Sequence, residues 1–349
     1  MSESPSIKFQ SRRSFLSKSM KAAGIAVVPP ALVKPFYILE HWHRPNSLID
    51  GVQIGVITYS YRSMLDQGAE AILQYILDSG ISAIELMGDT AEQFAGIPNL
   101  PFDRATIRKV RRMNRQHDLS EDQKKQMEEV NAGMQSHASQ VAEWRAKVDM
   151  DAFEALRKMY NSAGVDIFGF KPRALGKDNT DAEISYACKA AKALGASHLT
   201  VEIPSDDAHT ERLGKLAAKH QMFVAYHGHL QQTPTVWDTA LSQNKFNAMN
   251  PDFGHYVAAG NTNALELLDA KHDRIMSAHL KDRKSKDNGQ DNMAWGAGDT
   301  PLIEILQRMR DKNYPFPATI ELEYPIPDGS NAVTEVAKCL EFCYLALKA

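Results

Sequence analysis

HLTVEIPSDDAHTERLGKLAAKHQMFVAYHGH, residues 198–229, carries the pattern that decides the fold. His198 to Ile203 is a short apolar run, Thr210 to Lys219 reads as an amphipathic helix, and Met222 to His227 is a second apolar run. A strand, a helix and another strand in close succession form one βα unit and the start of the next, the sequence form of a parallel sheet. Both runs end on ionisable residues, Glu202 in the first and His227 with His229 in the second.

The same alternation extends in both directions. Further apolar runs are Val52 to Thr58, Ala83 to Met87, Val165 to Phe170, Phe246 to Pro251, Ile275 to Leu280 and Ala318 to Leu322. Helical spacing fills the intervals, as in Ala69, Ile72, Leu73, Ile76 and Leu77 before Gly80, and in Asp181 to Leu194 with Gly195 at its end. Asn263 to Leu268, Pro301 to Met309 and Ala332 to Leu347 read likewise. Eight strands with helices between them predict an α/β fold, a (β/α)8 TIM barrel over 46–349, with a doubly wound open sheet as the alternative. One interval is too long for a simple unit: Ala91 to Ala163 is densely charged and predicts a helical excursion after the second strand. It is either a solvated helical hairpin or a lid or dimer contact in which Trp144 and Arg145 meet substrate.

The 349 residues are 43% hydrophobic, enough to bury a large core, and their net charge of −3 offers nucleic acid no long-range attraction. A small-molecule partner is the expectation, and a homo-oligomer is compatible with it. Cys188, Cys339 and Cys343 read as buried thiols. Residues 1–45 are of another kind. Ser11-Arg12-Arg13-Ser14-Phe15-Leu16 precedes a weakly apolar run from Ala22 to Val33, broken by Pro29 and Pro30. That order resembles a twin-arginine export signal and is too short for a membrane span. It implies the export machinery as a partner and a periplasmic location, with an ordinary basic helix in the cytoplasm as the alternative.

A barrel collects its chemistry at the C-terminal ends of its strands. The residues ending the runs are Glu85, Lys171, Glu202, His227 with His229, Asp252 with His255, His279 with Lys281 and Asp282, and Glu321 with Glu323. Imidazoles and carboxylates converging from consecutive strands suit one divalent metal ion, with Mn²⁺, Zn²⁺, Co²⁺ and Mg²⁺ all compatible. Trp144, Trp237, Trp295, Tyr59 and Tyr61 fall in or near strand-end loops, where flat rings could pack on sugar C–H surfaces.

Asp252-Phe-Gly-His255, His279-Leu-Lys-Asp282, Trp295-Gly-Ala-Gly298 and Ile320-Glu321-Leu-Glu323 resemble the xylose-isomerase-like superfamily of sugar phosphate isomerases and epimerases from Gly51 onward. In its isomerase and epimerase branches an acid, an Asp, a His and a Glu from the fifth to eighth strands hold one metal, Mn²⁺ foremost. The resemblance implies Asp252, His279 and Glu321 as ligands. The fifth-strand acid is replaced by His227-Gly-His229, so that either His227 ligates instead or Glu202 supplies the carboxylate. The register of Glu321 against Glu323 stays open, since both face one side of a strand. The implied chemistry is proton abstraction beside a carbonyl through a metal-stabilised enediolate, with Glu323, His229 or Lys281 transferring the proton and Lys171, Trp144, Trp295 and Glu85 at the substrate. The outcome is isomerisation or epimerisation of a sugar or keto-sugar, or elimination as in keto-glycoside lyases and hydratases. A non-catalytic sugar-binding barrel and a phosphodiester hydrolase of the apurinic endonuclease branch are the rivals.

Overall fold

The computed structural model describes residues 44–113 and 118–349. The export signal expected over 1–45 lies outside the described residues apart from Arg44 and Pro45. Eight parallel strands stand where the apolar runs predict them: β1 Val52–Ile57, β2 Ala83–Met87, β3 Asp166–Lys171, β4 His198–Glu202, β5 Phe223–His227, β6 Asn247–Asn250, β7 Ala278–Leu280 and β8 Ala318–Ile320. Their hydrogen-bonded order is β6-β5-β4-β3-β2-β1-β8-β7. Parallel bridges pairing Met249 with Ile275 and Asp252 with His279 join the two ends of that order. The sheet is thus a nearly closed (β/α)8 barrel, and an open doubly wound sheet is excluded.

Helices α1 Ala69–Asp78, α2 Gly88–Phe94, α3 Arg104–Met113, α4 Glu121–Lys147, α5 Asp151–Ser162 and α6 Asp181–Leu194 occupy the first half. The second half carries α7 Asp207–His220, α8 Asp238–Gln243, α9 Phe253–Ala258, α10 Ala264–Lys271, α11 Leu302–Lys312 and α12 Ala332–Lys348. Local chemistry sets several boundaries. Thr180 and Glu183 form a reciprocal capping box at the start of α6, and Gly195 ends it at φ 79°, a conformation that favours glycine. Inside the barrel, a Cβ at Gly169 of β3 would stand 2.9 Å from His198 Nε2 and 3.2 Å from Glu85 Cγ, so glycine makes room for two polar side chains. All three cysteines are free and buried, as expected. No helix among the described residues is long and apolar enough to cross a membrane.

The excursion after β2 is helical, as expected, but shorter. Phe153, Leu156 and Tyr160 of α5 are buried in the main core, so α5 is the barrel's own crossover helix and the inserted part ends with α4. Helices α3 and α4 enclose a small core of their own, Val110, Met113 and Val130. The last turn of α4 is tied to the barrel through Arg145. Its side chain is 6% exposed and lies 2.9 Å from Glu92 of α2 and 3.0 Å from Glu183 of α6. Trp144 beside it meets Tyr186 of α6 edge-on, with centroids 5.8 Å apart. Both residues expected at the substrate therefore fasten α4 to the outer helix layer, because Glu92, Glu183 and Tyr186 hold this end of α4 against α2 and α6.

Burial pushes the Glu92 carboxyl above its usual range despite the pull of Arg145. Removing the cation strands two buried acids. Arg145→Met is expected to lower unfolding free energy in urea by about 3–5 kcal/mol. Glu143→Gln, which breaks the exposed pair with Lys147 on the same helix, should change it by no more than about 0.5 kcal/mol.

Candidate metal centre

Side chains on a strand alternate between two faces, so residues two apart along each barrel strand stack inside the barrel in layers. The middle layer holds His227 at the end of β5, Asp252 just beyond β6, His279 within β7 and Glu321 just beyond β8. All four are buried, and one donor atom from each lies within 4.8 Å of the others. Barrel closure places Asp252 against His279: the His279 N–H donates to Pro251 O at 2.8 Å, and the Asp252 Oδ1 accepts from the N–H of His255 at 2.7 Å, capping α9.

Two of these groups have buried atoms without a hydrogen-bond partner, His227 Nε2 and Asp252 Oδ2. The Lys281 ammonium is 3.0 Å from Asp252 Oδ2, an ion pair by distance that lacks hydrogen-bond alignment. Burial, followed by the charges of Lys171 and His279, drives the His227 pKa well below the ordinary imidazole value, so the ring is neutral, as ligation requires. For Asp252, burial outweighs the attraction of Lys281 and, with Glu321 nearby, lifts its carboxyl to about 7. Glu321 goes the other way: burial works against ionisation, but Lys281 and His279 hold it well below the usual carboxylate range. Two imidazoles and two carboxylates grouped within 4.8 Å, two of them with an unpartnered buried atom, fit a divalent ion of the Mn²⁺, Co²⁺ or Zn²⁺ kind.

His279 lies between two acids. Its Nδ1 is 2.9 Å from Glu321 Oε2 and its Nε2 is 2.8 Å from Glu85 Oε2. Burial would lower its pKa, but Glu85 and Glu321 together push it up to about 10 in the protein without metal. Glu85, expected at the substrate, is instead fully buried behind this imidazole, since β2 turns it into the barrel rather than toward the mouth. Between the two candidates for the fifth-strand ligand, the geometry brings His227 into the cluster. Glu202 is 49% exposed in its side chain, pairs with Lys171 at 2.8 Å, and stands 3.5 Å from His229. It groups with His227 and His229 one layer higher.

The mouth layer contains the expected proton carriers. Lys281, only 2% exposed, reaches Glu321 at 3.0 Å and Glu323 at 2.7 Å, and contacts His255 Nε2 at 3.1 Å. Burial disfavours its charge, but Asp252, Glu321 and Glu323 hold its pKa above the ordinary lysine value, so it is an ammonium. His255, buried beside Lys281 and Arg283, is pushed down to about 2 and stays neutral. His229 is half exposed, with its ring centroid 4.6 Å from that of His255 and 5.0 Å from that of His227.

The aromatic residues lie elsewhere. Trp295 meets Phe342 of α12 edge-on at 5.6 Å, so its loop packs it on an outer helix rather than on the cluster. Trp237 and Tyr61 are core residues, bonded to Tyr226 O and Ser79 Oγ respectively. Tyr59 sits under the Arg62 guanidinium at 4.4 Å. Missed in the sequence was the layer beneath the centre: Asn250, Ser277 and His198, all buried and linked to one another. The signal was present. Asn250 and Ser277 each stand two residues before a candidate ligand, Asp252 and His279, on the same strand face.

Comparison with known proteins agrees with this architecture. Among solved structures, a xylose isomerase domain protein from Planctomyces limnophilus superposes with TM-score 0.54 at 16% identity, covering 88% of this chain and 98% of its own. A sugar phosphate isomerase/epimerase from Parabacteroides distasonis gives TM-score 0.51 at 16% identity, covering 84% and 93%. The 3-keto-D-glucoside 4-epimerase of E. coli gives 0.53 at 12% identity, covering 84% and 100%. At these identities the likeness is one of fold. No curated protein matches the sequence. Residues 132–343, more than half of the chain, match the family described as xylose isomerase-like TIM barrel. The chain belongs to the xylose isomerase-like TIM barrel family.

Proposed function

We propose that this protein is a metal-dependent enzyme of the isomerase or epimerase type, moving a proton beside the carbonyl of a sugar or keto-sugar. The observation that carries the reading is the convergence of His227, Asp252, His279 and Glu321, two of which keep a buried atom without a hydrogen-bond partner, His227 Nε2 and Asp252 Oδ2. These four would hold one divalent ion, Mn²⁺ on the family resemblance, with Zn²⁺, Co²⁺ and Mg²⁺ as alternatives. Such an ion supplies Lewis acidity toward a carbonyl oxygen.

The residues around it divide into two proton-handling groups. Glu323 with Lys281 and His255 stands on the β7–β8 side, and His229 with Glu202 and Lys171 on the β3–β5 side. Glu323 is the base, its carboxylate kept in place by the Lys281 ammonium 2.7 Å away. His229, half exposed beside Glu202, is the second proton carrier, the one that epimerisation needs to return a proton to the other face. Lys171 and Glu202 orient substrate hydroxyls. Lys171 and Lys281 are already paired with carboxylates, which favours a neutral sugar over a phosphorylated one. Export through the twin-arginine route, read from Arg12-Arg13, fits a free or glycosidic keto-sugar met in the periplasm.

Elemental mass spectrometry of protein reconstituted with Mn²⁺ should find about one metal per chain, lost in Asp252→Ala and His279→Ala. Incubation with keto and aldo sugars in D₂O should then place deuterium at a carbon next to the carbonyl. Release of an alcohol from a keto-glycoside would assign elimination instead, and bound metal with no exchange on any sugar would leave a sugar-binding barrel. Glu323→Gln should keep the metal and lower the exchange rate about 100- to 10,000-fold. An unchanged rate would move the base to His229.

A further inference from the structure

Beneath the four candidate ligands lies a branched chain of polar contacts, centred on Glu85 and Asn250, that the proposed chemistry does not use. Glu85 Oε2 accepts from His279 Nε2 at 2.8 Å and from Asn250 Nδ2 at 3.4 Å. The same Asn250 amide nitrogen donates to Ser277 Oγ at 2.6 Å, and Ser277 Oγ is 3.1 Å from His198 Nε2. On its other side, Asn250 Oδ1 is 2.7 Å from His227 Nδ1. All six of these residues sit in the barrel interior with 0% exposure, so a bond lost here is not replaced by bulk water.

A carboxylate only accepts hydrogen bonds, and a carboxamide has one accepting and one donating end. Glu85 therefore turns the nitrogen of Asn250 toward itself and the oxygen toward His227. An oxygen at 2.7 Å from His227 Nδ1 requires that nitrogen to carry the proton, which leaves the lone pair on Nε2, the atom without a partner. Glu85 acts on the other imidazole directly: by accepting from His279 Nε2 it leaves Nδ1 facing Glu321 and the centre.

We propose that Glu85 is a positioning residue that sets which nitrogen both histidines present to the metal centre, Nδ1 of His279 by direct contact and Nε2 of His227 through Asn250. The inference rests on the metal reading above, and one carboxylate serves two ligands that reach the centre from different strands. Hydrogen bonds of this kind fix ring orientation as well as tautomer, and their loss typically weakens metal affinity about 10- to 100-fold.

The test is long-range proton–nitrogen correlation NMR on protein labelled with ¹⁵N-histidine, with resonances assigned by single-histidine replacement. In metal-free wild type, His227 should be neutral with its proton on Nδ1. With Zn²⁺ added, His227 should keep that proton and His279 should keep the one on Nε2. Glu85→Gln and Asn250→Leu should each weaken Zn²⁺ binding, measured against a competing chelator, about 10- to 100-fold and disturb the His227 pattern. A proton on His227 Nε2 in the wild type would overturn the proposal, as would zinc affinity unchanged in both variants. The metal-free spectrum needs no variant to fold. Wild type that binds no zinc while His227 still carries its proton on Nδ1 would sink the metal reading and leave the hydrogen-bond assignment standing.

Discussion

Carboxylates inside a barrel are tolerable only if every one is met by a positive charge or by donors, and the site is arranged around that requirement. Glu85, Asp252 and Glu321 are almost wholly removed from solvent. His279 answers two of them, Glu85 at one nitrogen and Glu321 at the other. Lys281 answers Asp252 and Glu321 from above and reaches on to Glu323. The opposite pKa displacements of Asp252 and Glu321 follow from this division. Glu321 touches both cations, whereas Asp252 touches only one and without hydrogen-bond alignment, so burial wins there. Further positive charge at the centre would be stabilised chiefly by the acid that the protein itself leaves least compensated.

The barrel interior accordingly has three polar levels. The lowest is neutral or self-compensating, with His198, Ser277 and Asn250 joined by hydrogen bonds around the Glu85 carboxylate. Burial lowers the pKa of His198 to about 4, consistent with a neutral ring there. The middle level carries the unpartnered His227 Nε2 and Asp252 Oδ2, and the highest carries the half-exposed side chains of Glu202 and His229. Solvent access rises in the same direction. Rigid support lies below, chemistry above it, and substrate exchange at the mouth, which is the order a pre-organised site needs.

Most of this frame was legible because strands and crossover helices have distinct periods. All eight strands fall on apolar runs, and the C-termini of α1 and α6 fall at Gly80 and Gly195. Strand-end position alone also pointed to His227, Asp252, His279 and Glu321. Depth was not legible. Glu85 and Glu202 both end apolar runs, yet one is fully buried behind His279 and the other is half exposed beside Lys171. Which it would be depends on stagger between neighbouring strands, including the register shift between Ile84 and Glu85 where β2 pairs with β3. Trp144 and Trp295 failed for a related reason: a loop or helix residue near a mouth can turn outward, and only the presence of Tyr186 and Phe342 decides that it does.

The histidine on β5 changes the character of the centre as well as its geometry. With a carboxylate there, as in the related isomerases and epimerases, three acids would surround a doubly charged ion and leave one negative charge over. With His227, the two carboxylates of Asp252 and Glu321 would balance a divalent ion held there, and Lys281 with Glu323 forms a pair that is neutral by itself. Two nitrogen donors also weigh against Mg²⁺, which prefers oxygen, and toward ions that accept imidazole readily. The replacement is feasible only because a neutral imidazole can stand at a fully buried position where an additional unpaired carboxylate would be expensive. Asn250 lies against that imidazole at 2.7 Å, and it is the one β6 residue that faces both His227 and Glu85. A histidine placed on β5 without that neighbour would be free to turn either nitrogen to the centre, so the two residues make structural sense only as a pair.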